Sequence, residues 1–212
     1  MRWKSTPRSI ARTAPAPTRD GPTACRRTFV FRSSCRAASA TTHACGTGPL
    51  LDAFLAQAGA LGTRLGCLLL QLPPSAAFDA AVAARFFAML RRRWDGGVVC
   101  EPRHASWFAA PAQALLARHR IARCAADPAP VPAASLPSPA AAPLYWRWHG
   151  APRIYYSSYA HTALQALAAT VRASPPDSTQ PPPERWVIFD NTAAGCATSN
   201  ALELQRLLRI ER

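Results

Sequence analysis

The chain has 212 residues, enough for one domain with a sizeable hydrophobic core that needs no disulfide or metal cross-links. Hydrophobic residues make up 49% of it, which excludes a largely disordered chain, and no apolar run approaches the roughly 20 residues of a membrane-spanning helix. Basic residues outnumber acidic ones by 25 to 11, and the resulting net charge of +14 points to a polyanionic partner.

From Gly48 onward, amphipathic helices alternate with short apolar strands. Apolar residues at helical spacing from Leu51 to Leu65 predict the first helix, and the apolar run CLLLQL that follows is ended by Pro73 and Pro74. The predicted helices cover residues 51–65, 79–92, 111–119, 159–173 and 200–208. The predicted strands cover residues 67–72, 98–101, 121–125, 145–150 and 186–189. Pro-rich loops are predicted over residues 128–143 and 174–183.

Strands that alternate with helices across short connections pair in parallel, so the pattern predicts an α/β protein with about five parallel strands. Each strand has polar residues close to the end of its apolar run, namely Gln71, Glu101, Asp127, Arg147 with His149, and Asp190 with Asn191. Ligands bind at the carboxyl ends of parallel strands, so we expect these side chains to converge on a site. Helix caps or loop starts are the alternative for each of them.

Glu101 and the loop after it hold the first candidates for chemistry. Burial at a strand end raises a carboxyl pKa and the nearby Arg103 lowers it, a balance typical of functional sites, although a purely structural ion pair is the alternative. His104 suits proton transfer near neutral pH, or else it caps the loop. Ser106 is predicted to cap the next helix, and Trp107 either stacks on a ligand or packs in the core.

Arg147 and His149 alternate with two tryptophans on one strand, so they share a face that points inward if the tryptophans face the helices. A buried arginine needs an anion, either Glu101 or a carboxylate or phosphate of a substrate. Asp190 and Asn191 suit a hydroxylated substrate. Together with Glu101 and His149 they are also the alternative donors of a divalent metal site, but the spacing contains no diagnostic metal motif, and we assign no metal ligand.

The candidate site therefore has two groups of residues. We expect acid-base roles for Glu101, His104 and His149. We expect substrate contacts from Gln71, Arg103, Trp107, Arg147, Tyr156, Asp190 and Asn191. Dinucleotide and P-loop patterns are absent from the sequence, and no Ser or Cys lies in a nucleophile elbow, so a cofactor stays unassigned.

Four blocks of sequence carry a resemblance to a known family. They are LGCLLLQLPPS (65–75), EPRHASW (101–107), WRWHG (146–150) and FDNTAAGCATSNALEL (189–204), in this order. Over about three quarters of its length, the chain resembles the YecE-like family, known as domain of unknown function 72. The resemblance implies a TIM-type (β/α) barrel, here incomplete, with helices outside about five parallel strands and the N-terminal strands missing or scrambled. It implies no reaction.

Residues 1–47 depart from the family pattern, which begins with an ExNxTFY strand and an FxFxxKxPxxITH-like segment. Back-translation with the codon boundary moved by two bases yields LEVNATFYR from residues 2–11 and FRVPLKLPRGISHH from residues 28–42, both similar to the missing motifs. We interpret residues 1–47 as an out-of-frame, non-native and disordered segment, and residues 48–212 as a partial barrel domain. A transit peptide and a disordered nucleic-acid-binding arm are the alternatives.

The expected function is acid-base chemistry of a hydrolase- or isomerase-like kind on a small polar or anionic substrate. This copy is expected to be inactive because a barrel without its first strands cannot close. The alternative is a basic nucleic-acid-binding protein. It is weakened because residues 48–212 contain 16 basic and ten acidic residues and no stripe of interleaved aromatic and basic side chains.

The seven cysteines include no CxxC pair, and the chain has no secretory leader, so we expect a reducing, cytoplasmic location. We expect a small-molecule partner, and neither a nucleic acid nor a membrane. The sequence leaves the oligomeric state undefined.

Overall fold

The structure is a computed structural model that describes residues 27–32, 44–138, 143–173 and 183–210. These residues form seven strands and five α-helices. The strands are β1 (Arg27–Arg32), β2 (Leu65–Gln71), β3 (Gly97–Glu101), β4 (Ala122–Arg123), β5 (Ala125–Asp127), β6 (Leu144–Trp148) and β7 (Arg185–Phe189). The helices are α1 (Ala44–Gly59), α2 (Ala80–Arg91), α3 (Ala110–Arg118), α4 (His161–Ala173) and α5 (Cys196–Ile210). Short 3₁₀ helices at Gly62–Arg64, Ala105–Phe108 and Pro132–Ser135 lie in the connections.

The described strands form two sheets in which every pair is parallel. The first sheet has the order β1-β2-β3-β4 and the second has the order β5-β6-β7. Backbone pairing continues one residue past the carboxyl ends: Leu72 N donates to Glu101 O (3.0 Å), and Asp190 N donates to Trp148 O (2.7 Å). These bonds hold the polar residues that follow the strands in fixed register.

Alternate residues of each strand face opposite layers, as the pleat requires. Outward residues of the first sheet pack against α1, α2 and α3, and those of the second sheet pack against α4 and α5. Inward residues of both sheets meet in one inner cluster: Cys67, Leu69, Val99, Ala122, Cys124, Tyr145, Trp186 and Ile188. The two sheets therefore share an apolar interior.

Trp186 and Gly66 show how closely the two sheets approach. A Cβ atom placed on Gly66 of β2 would lie 2.4 Å from the Trp186 ring of β7. Such a distance is far inside van der Waals contact, so only glycine leaves room for the indole. The side chain of Trp186 fills the amino-terminal end of the shared interior.

The α/β class and the parallel pairing predicted from the sequence are confirmed, but the expected strand count is wrong. Seven strands are described in two sheets rather than about five in one sheet: β1 lies before the predicted range, and one predicted strand is divided in two. The strand predicted over residues 121–125 is two strands, β4 and β5, which meet at Cys124. The first sheet ends there and the second begins.

The predicted boundaries also shift at two helices. α1 ends at Gly59, well before Leu65, because a 3₁₀ turn intervenes and β2 already begins at Leu65. α5 begins at Cys196, four residues before the predicted start, because Ala197 already packs in the core of the second sheet. None of the helices in the described ranges has the length and apolar character that crossing a bilayer requires.

Two described elements begin inside the segment 1–47 that the sequence marks as non-native. β1 pairs with β2 over its whole length, and α1 starts at Ala44. Residues 1–26 and 33–43 of this segment lie outside the described residues. So do residues 139–142 and 174–182, which belong to the predicted Pro-rich loops.

Candidate functional site

The candidate site continues the inward face of the strands toward their carboxyl ends. On β2, β3, β6 and β7, the inner cluster supplies the apolar residues, and the next inward position is polar. The polar positions are Gln71 on β2, Glu101 on β3, Arg147 on β6 with His149 just beyond it, and Asp190 just beyond β7. Parallel pairing brings these ends together, which explains why residues distant in sequence meet.

Four of these side chains form a closed cycle that we call the ion-pair ring: Glu101, Arg147, Asp190 and His149. Arg147 donates from Nη1 to Glu101 Oε2 and from Nη2 to Asp190 Oδ2, each at 2.7 Å. His149 Nδ1 lies 3.1 Å from Asp190 Oδ2, and His149 Nε2 lies 3.0 Å from Glu101 Oε1. All four side chains are buried, so their charges are shielded from water and balanced by one another.

Arg103 completes the ring on its outer side. It lies two residues beyond β3, and its side chain turns back so that Nη2 is 2.5 Å from Glu101 Oε1 and 2.5 Å from His149 Nε2. The Arg103 side chain is 15% exposed, whereas the side chains of the ring are exposed by 8% or less. Arg103 is therefore the charged member of the cluster that a ligand can reach most easily.

The charges of the ring fix the ionisation of its carboxyl groups. Burial raises the pKa of Glu101, but the charge of Arg147, the contact with His149 and the charge of Arg103 outweigh it and lower the pKa to about 2. Burial likewise raises the pKa of Asp190, but the hydrogen bond with His149 and the charge of Arg147 bring it below its ordinary value. Both groups are carboxylates at neutral pH, so neither can donate a proton there.

His149 contacts groups of both charges. Nδ1 lies 3.1 Å from Asp190 Oδ2, which can only accept, so Nδ1 donates there. Nε2 lies 3.0 Å from Glu101 Oε1 and 2.5 Å from Arg103 Nη2. The carboxylate accepts a proton from Nε2 and the guanidinium donates one to it, so the two contacts favour opposite protonation states of this nitrogen.

The loop after β6 covers the ring. Tyr155 N donates to the carbonyl oxygen of His149 (2.6 Å), and the Tyr155 ring packs edge-on against the imidazole with 5.9 Å between centroids. Gly150 starts this loop with a φ of 97°, and a Cβ there would lie 3.0 Å from the carbonyl oxygen of Ser157. The loop thus needs the glycine of the WRWHG block to pass close to itself.

Asn191 and Asn200 anchor the same loop from below. Asn191 Nδ2 donates to Ser157 O (2.9 Å) and to Asn200 Oδ1 (2.8 Å), and Asn200 Oδ1 also accepts from Tyr159 N (3.2 Å). Asn191 was expected to contact substrate, but its amide hydrogens are used within the protein. Asn200 was not among the predicted site residues. Its signal was a polar residue at the same helical face as Ala197, Ala201 and Leu204.

The remaining predicted residues lie at different distances from this chemistry. Gln71 faces Glu101 across the β2-β3 pairing. Tyr156 is exposed and packs on the Arg153 guanidinium at 3.9 Å. The tyrosine that contacts the ion-pair ring is its neighbour Tyr155, which packs against His149. Asp127 turns away from the ring, since its Oδ1 accepts from Tyr159 OH at 2.7 Å.

His104 and Trp107 have structural surroundings. His104 Nδ1 accepts from Ser106 N at 3.2 Å, so His104 caps the 3₁₀ helix Ala105–Phe108, in the place predicted for Ser106. Ser106 Oγ instead accepts from Phe78 N at 2.7 Å. Trp107 packs in the outer cluster of the first sheet, and its Nε1 donates to Ala76 O at 2.9 Å.

The position of Arg147 argues against the divalent metal site that was the alternative for these residues. Glu101, His149 and Asp190 come together as that alternative required, but a guanidinium lies between the two carboxylates, where a divalent cation would have to sit. The described ranges contain no group of three or more His, Cys, Asp and Glu side chains arranged to hold a metal ion.

Comparison with known proteins places this geometry in a family. A sequence model described as "Protein of unknown function DUF72" matches residues 25–212. A DUF72 family protein from Thermotoga maritima MSB8 has a similar structure, with 24% identity and a TM-score of 0.62 over 74% of this chain and 64% of that one.

A DUF72 family protein from Enterococcus faecalis V583 is also similar, with 19% identity and a TM-score of 0.58 over 81% of this chain and 68% of that one. The chain thus spans about 64% of the length of the Thermotoga protein. No curated protein matches it. Since the family match covers most of the sequence, including all four blocks described above, the chain belongs to the DUF72 family, whose function is unknown.

Proposed function

We propose that this fold carries an acid-base enzyme for a small anionic substrate, in which His149 transfers the proton and Arg103 binds the anion. The observation that supports it is the environment of His149. Its buried ring is oriented through Nδ1 by Asp190 (3.1 Å), and its other nitrogen, Nε2, lies between Glu101 (3.0 Å) and the partly exposed Arg103 (2.5 Å). A carboxylate that orients a histidine in this way fixes the tautomer and leaves the other nitrogen to act.

Arg103 controls access to that nitrogen in the proposed reaction. A substrate carboxylate or phosphate competes with Glu101 and His149 for the Arg103 guanidinium, which suits such groups by bidentate bonding. When Arg103 turns toward the substrate, the lone pair of His149 Nε2 becomes available to accept a substrate proton. Glu101 and Arg147 are then positioning residues, since they hold the guanidinium and imidazole groups without exchanging protons.

The test follows turnover of a panel of small carboxylates and phosphate esters by NMR, with residues 1–47 as written and also read in the shifted frame. We expect His149→Gln to lower kcat by about 100-fold or more and Arg103→Gln mainly to raise KM. Arg120→Gln is the matched control, because Arg120 pairs with Asp95 at the surface. Consumption of no compound, or unchanged turnover by His149→Gln, contradicts the proposal.

We further infer that the two sheets are parts of one incomplete barrel. The shared inner cluster, the parallel order within both sheets and the outward position of all five helices support this arrangement. Residues 1–47 are proposed to be out of frame, which leaves the barrel open and this copy inactive as written.

A further inference from the structure

Two buried polar atoms beside the ion-pair ring lack a hydrogen-bond partner. Within the described residues, no group donates to Gln71 Oε1 and none accepts from Arg103 Nε, although both atoms are shielded from solvent. Buried polar atoms are nearly always paired, because leaving one unpaired costs the free energy of its lost hydration. The unpaired acceptor Gln71 Oε1 and the unpaired donor Arg103 Nε both lie beside the ion-pair ring, so one bound ligand would pair with both.

The two atoms flank the same carboxylate. Gln71 is the pairing partner of Glu101 in the β2-β3 ladder, so its side chain lies on the inward face one strand away, about 5 Å along the sheet. Arg103 is bonded to Glu101 Oε1 at 2.5 Å. The unpaired acceptor and the unpaired donor therefore belong to the two residues that neighbour Glu101, one across the β2-β3 pairing and one through an ion pair.

Gln71 and Arg103 also differ from the other unpaired groups near the ring. Arg147 Nε and Asn191 Oδ1 are likewise without partners in the described ranges, but their residues are 1% and 0% exposed. The side chains of Gln71 and Arg103 are partly exposed, but their unpaired atoms are shielded, so a ligand at the carboxyl ends of the strands reaches these atoms only when the two side chains rotate. A partly exposed side chain has room for that rotation, whereas the fully buried Arg147 and Asn191 do not.

We propose that Gln71 Oε1 and Arg103 Nε form a subsite for an oxyanion that carries a hydrogen-bond donor, either a 2-hydroxy carboxylate or a hydrogen phosphate. Arg103 Nε donates to an anionic oxygen, and Gln71 Oε1 accepts from the hydroxyl. The proposal rests on the proposed function and names its substrate class. An oxyanion without the hydroxyl leaves Gln71 Oε1 buried and unpaired, so it binds more weakly.

Two pairs of probes test the subsite by NMR titration of the full chain. Propanoate and lactate differ by one hydroxyl. At pH 8, where phosphate is mostly the dianion, sulfate and hydrogen phosphate have the same charge and only hydrogen phosphate has a hydroxyl. We expect the hydroxyl-bearing member to bind about tenfold more tightly in at least one pair. The pair that shows this preference identifies the source of the oxyanion, since one pair tests a carboxylate and the other a phosphate.

Variants of Gln71 assign the preference to its side chain. Gln71→Met should abolish the tenfold difference and leave the affinity for propanoate or sulfate unchanged. Gln71→Glu, which keeps an acceptor oxygen, should retain the difference while all anions bind more weakly. Gln57→Met makes the same change on the exposed face of α1 and is the matched control, with the difference intact. Melting temperatures of all variants show that the comparison is made on folded protein.

Three results decide against the subsite. Equal affinity within both pairs, or a preference that survives Gln71→Met, overturns the inference while leaving an anion site at Arg103. If none of the four probes binds, the subsite is absent. The proposed function is judged separately, by turnover of the His149→Gln variant, and binding that Arg103→Gln does not weaken contradicts the anion role on which both rest.

Discussion

At the scale of single residues, the protonation of Glu101 determines how much stability the ion-pair ring loses at low pH. Its carboxylate accepts from Arg147 and Arg103 and has almost no exposure, so a proton added there removes two ion pairs in a place that water cannot reach. Removing one partner of a buried ion pair usually costs about 3–5 kcal/mol, because the remaining charge is left without compensation. The stability of the molecule and the ionisation of this one group are therefore linked.

We predict that the free energy of unfolding falls as the pH drops from about 4.5 to about 2. The pKa of Glu101 is about 2 in the folded chain against an ordinary value of 4.5, so its contribution is complete above 4.5 and is lost as the pH approaches 2. The lowered pKa of Asp190 acts in the same direction. Urea unfolding measured between pH 2 and pH 7 gives the profile.

Glu101→Gln tests whether this profile belongs to the ring. The variant should be less stable by about 3–5 kcal/mol at pH 7 and should lose most of the dependence on pH below 4.5. Asp52→Asn is the control, since Asp52 pairs with Arg93 at the surface, and its loss should cost less than about 1 kcal/mol. A Glu101→Gln variant with the stability and pH profile of the original chain would show that the ring contributes nothing.

At the scale of the elements, strand parity explains which site residues the sequence could predict. Apolar runs of β2, β3, β6 and β7 each end on an inward position, and so Gln71, Glu101, Arg147, His149 and Asp190 converge as expected. Asp127 was placed with them because it follows an apolar run, but the alternation continues through Cys124, so Ala125 and Asp127 lie on the outward face and Asp127 meets the Tyr159 hydroxyl. The run at residues 121–125 is apolar on both faces, so it does not show by itself which positions face inward, and parity became usable only once the inward face was known.

The contact between β2 and β7 gives a second prediction. Gly66→Ala places a methyl group within 2.4 Å of the Trp186 ring, so the sheets must move apart or the indole must shift, at a cost of about 1–3 kcal/mol. Thermal unfolding measures the loss. Adding Trp186→Leu should reduce the penalty of the methyl group, because the smaller side chain leaves room for it.

Gly59→Ala serves as the control for the glycine change. No atom lies within 4 Å of a Cβ at position 59, which is the last residue of α1, and alanine favours helix more than glycine. Its stability should be unchanged or slightly raised. A Gly66→Ala variant as stable as Gly59→Ala would mean that the two sheets do not approach each other at this point.

At the scale of the whole molecule, the chain covers only part of the length of its relatives. The chain spans about 64% of the Thermotoga protein, the family match starts at residue 25, and the described part of the chain begins with β1 at Arg27. Two short motifs were expected there from the family resemblance, and the written residues 1–47 contain neither. Sequence alone could suggest a frame change, but packing cannot identify one, since only the nucleotides record it.

We predict that the DNA for codons 2–47 has an open alternative frame that encodes the ExNxTFY-like and FxFxxKxPxxITH-like motifs. The protein with that frame restored should unfold at a higher urea concentration than the chain as written, because the restored strands replace β1 at the edge of the first sheet and protect that edge. Sequencing and urea unfolding check the two parts. A stop codon in the alternative frame between codons 2 and 47 rules the interpretation out.

The apolar inner cluster and the ion-pair ring lie on the same face of the strands, so a deletion in the gene that shifts a strand affects both. Deleting one residue inside β2, β3, β6 or β7 turns the apolar interior outward and scatters the charges in a single step, so such lesions are removed by loss of folding rather than by loss of activity. A copy that still folds therefore retains its charged centre even after it has stopped reacting. A degraded relative can therefore retain Glu101, Arg147, His149 and Asp190 because they are needed for folding. Their presence in such a relative would not show that it is still active.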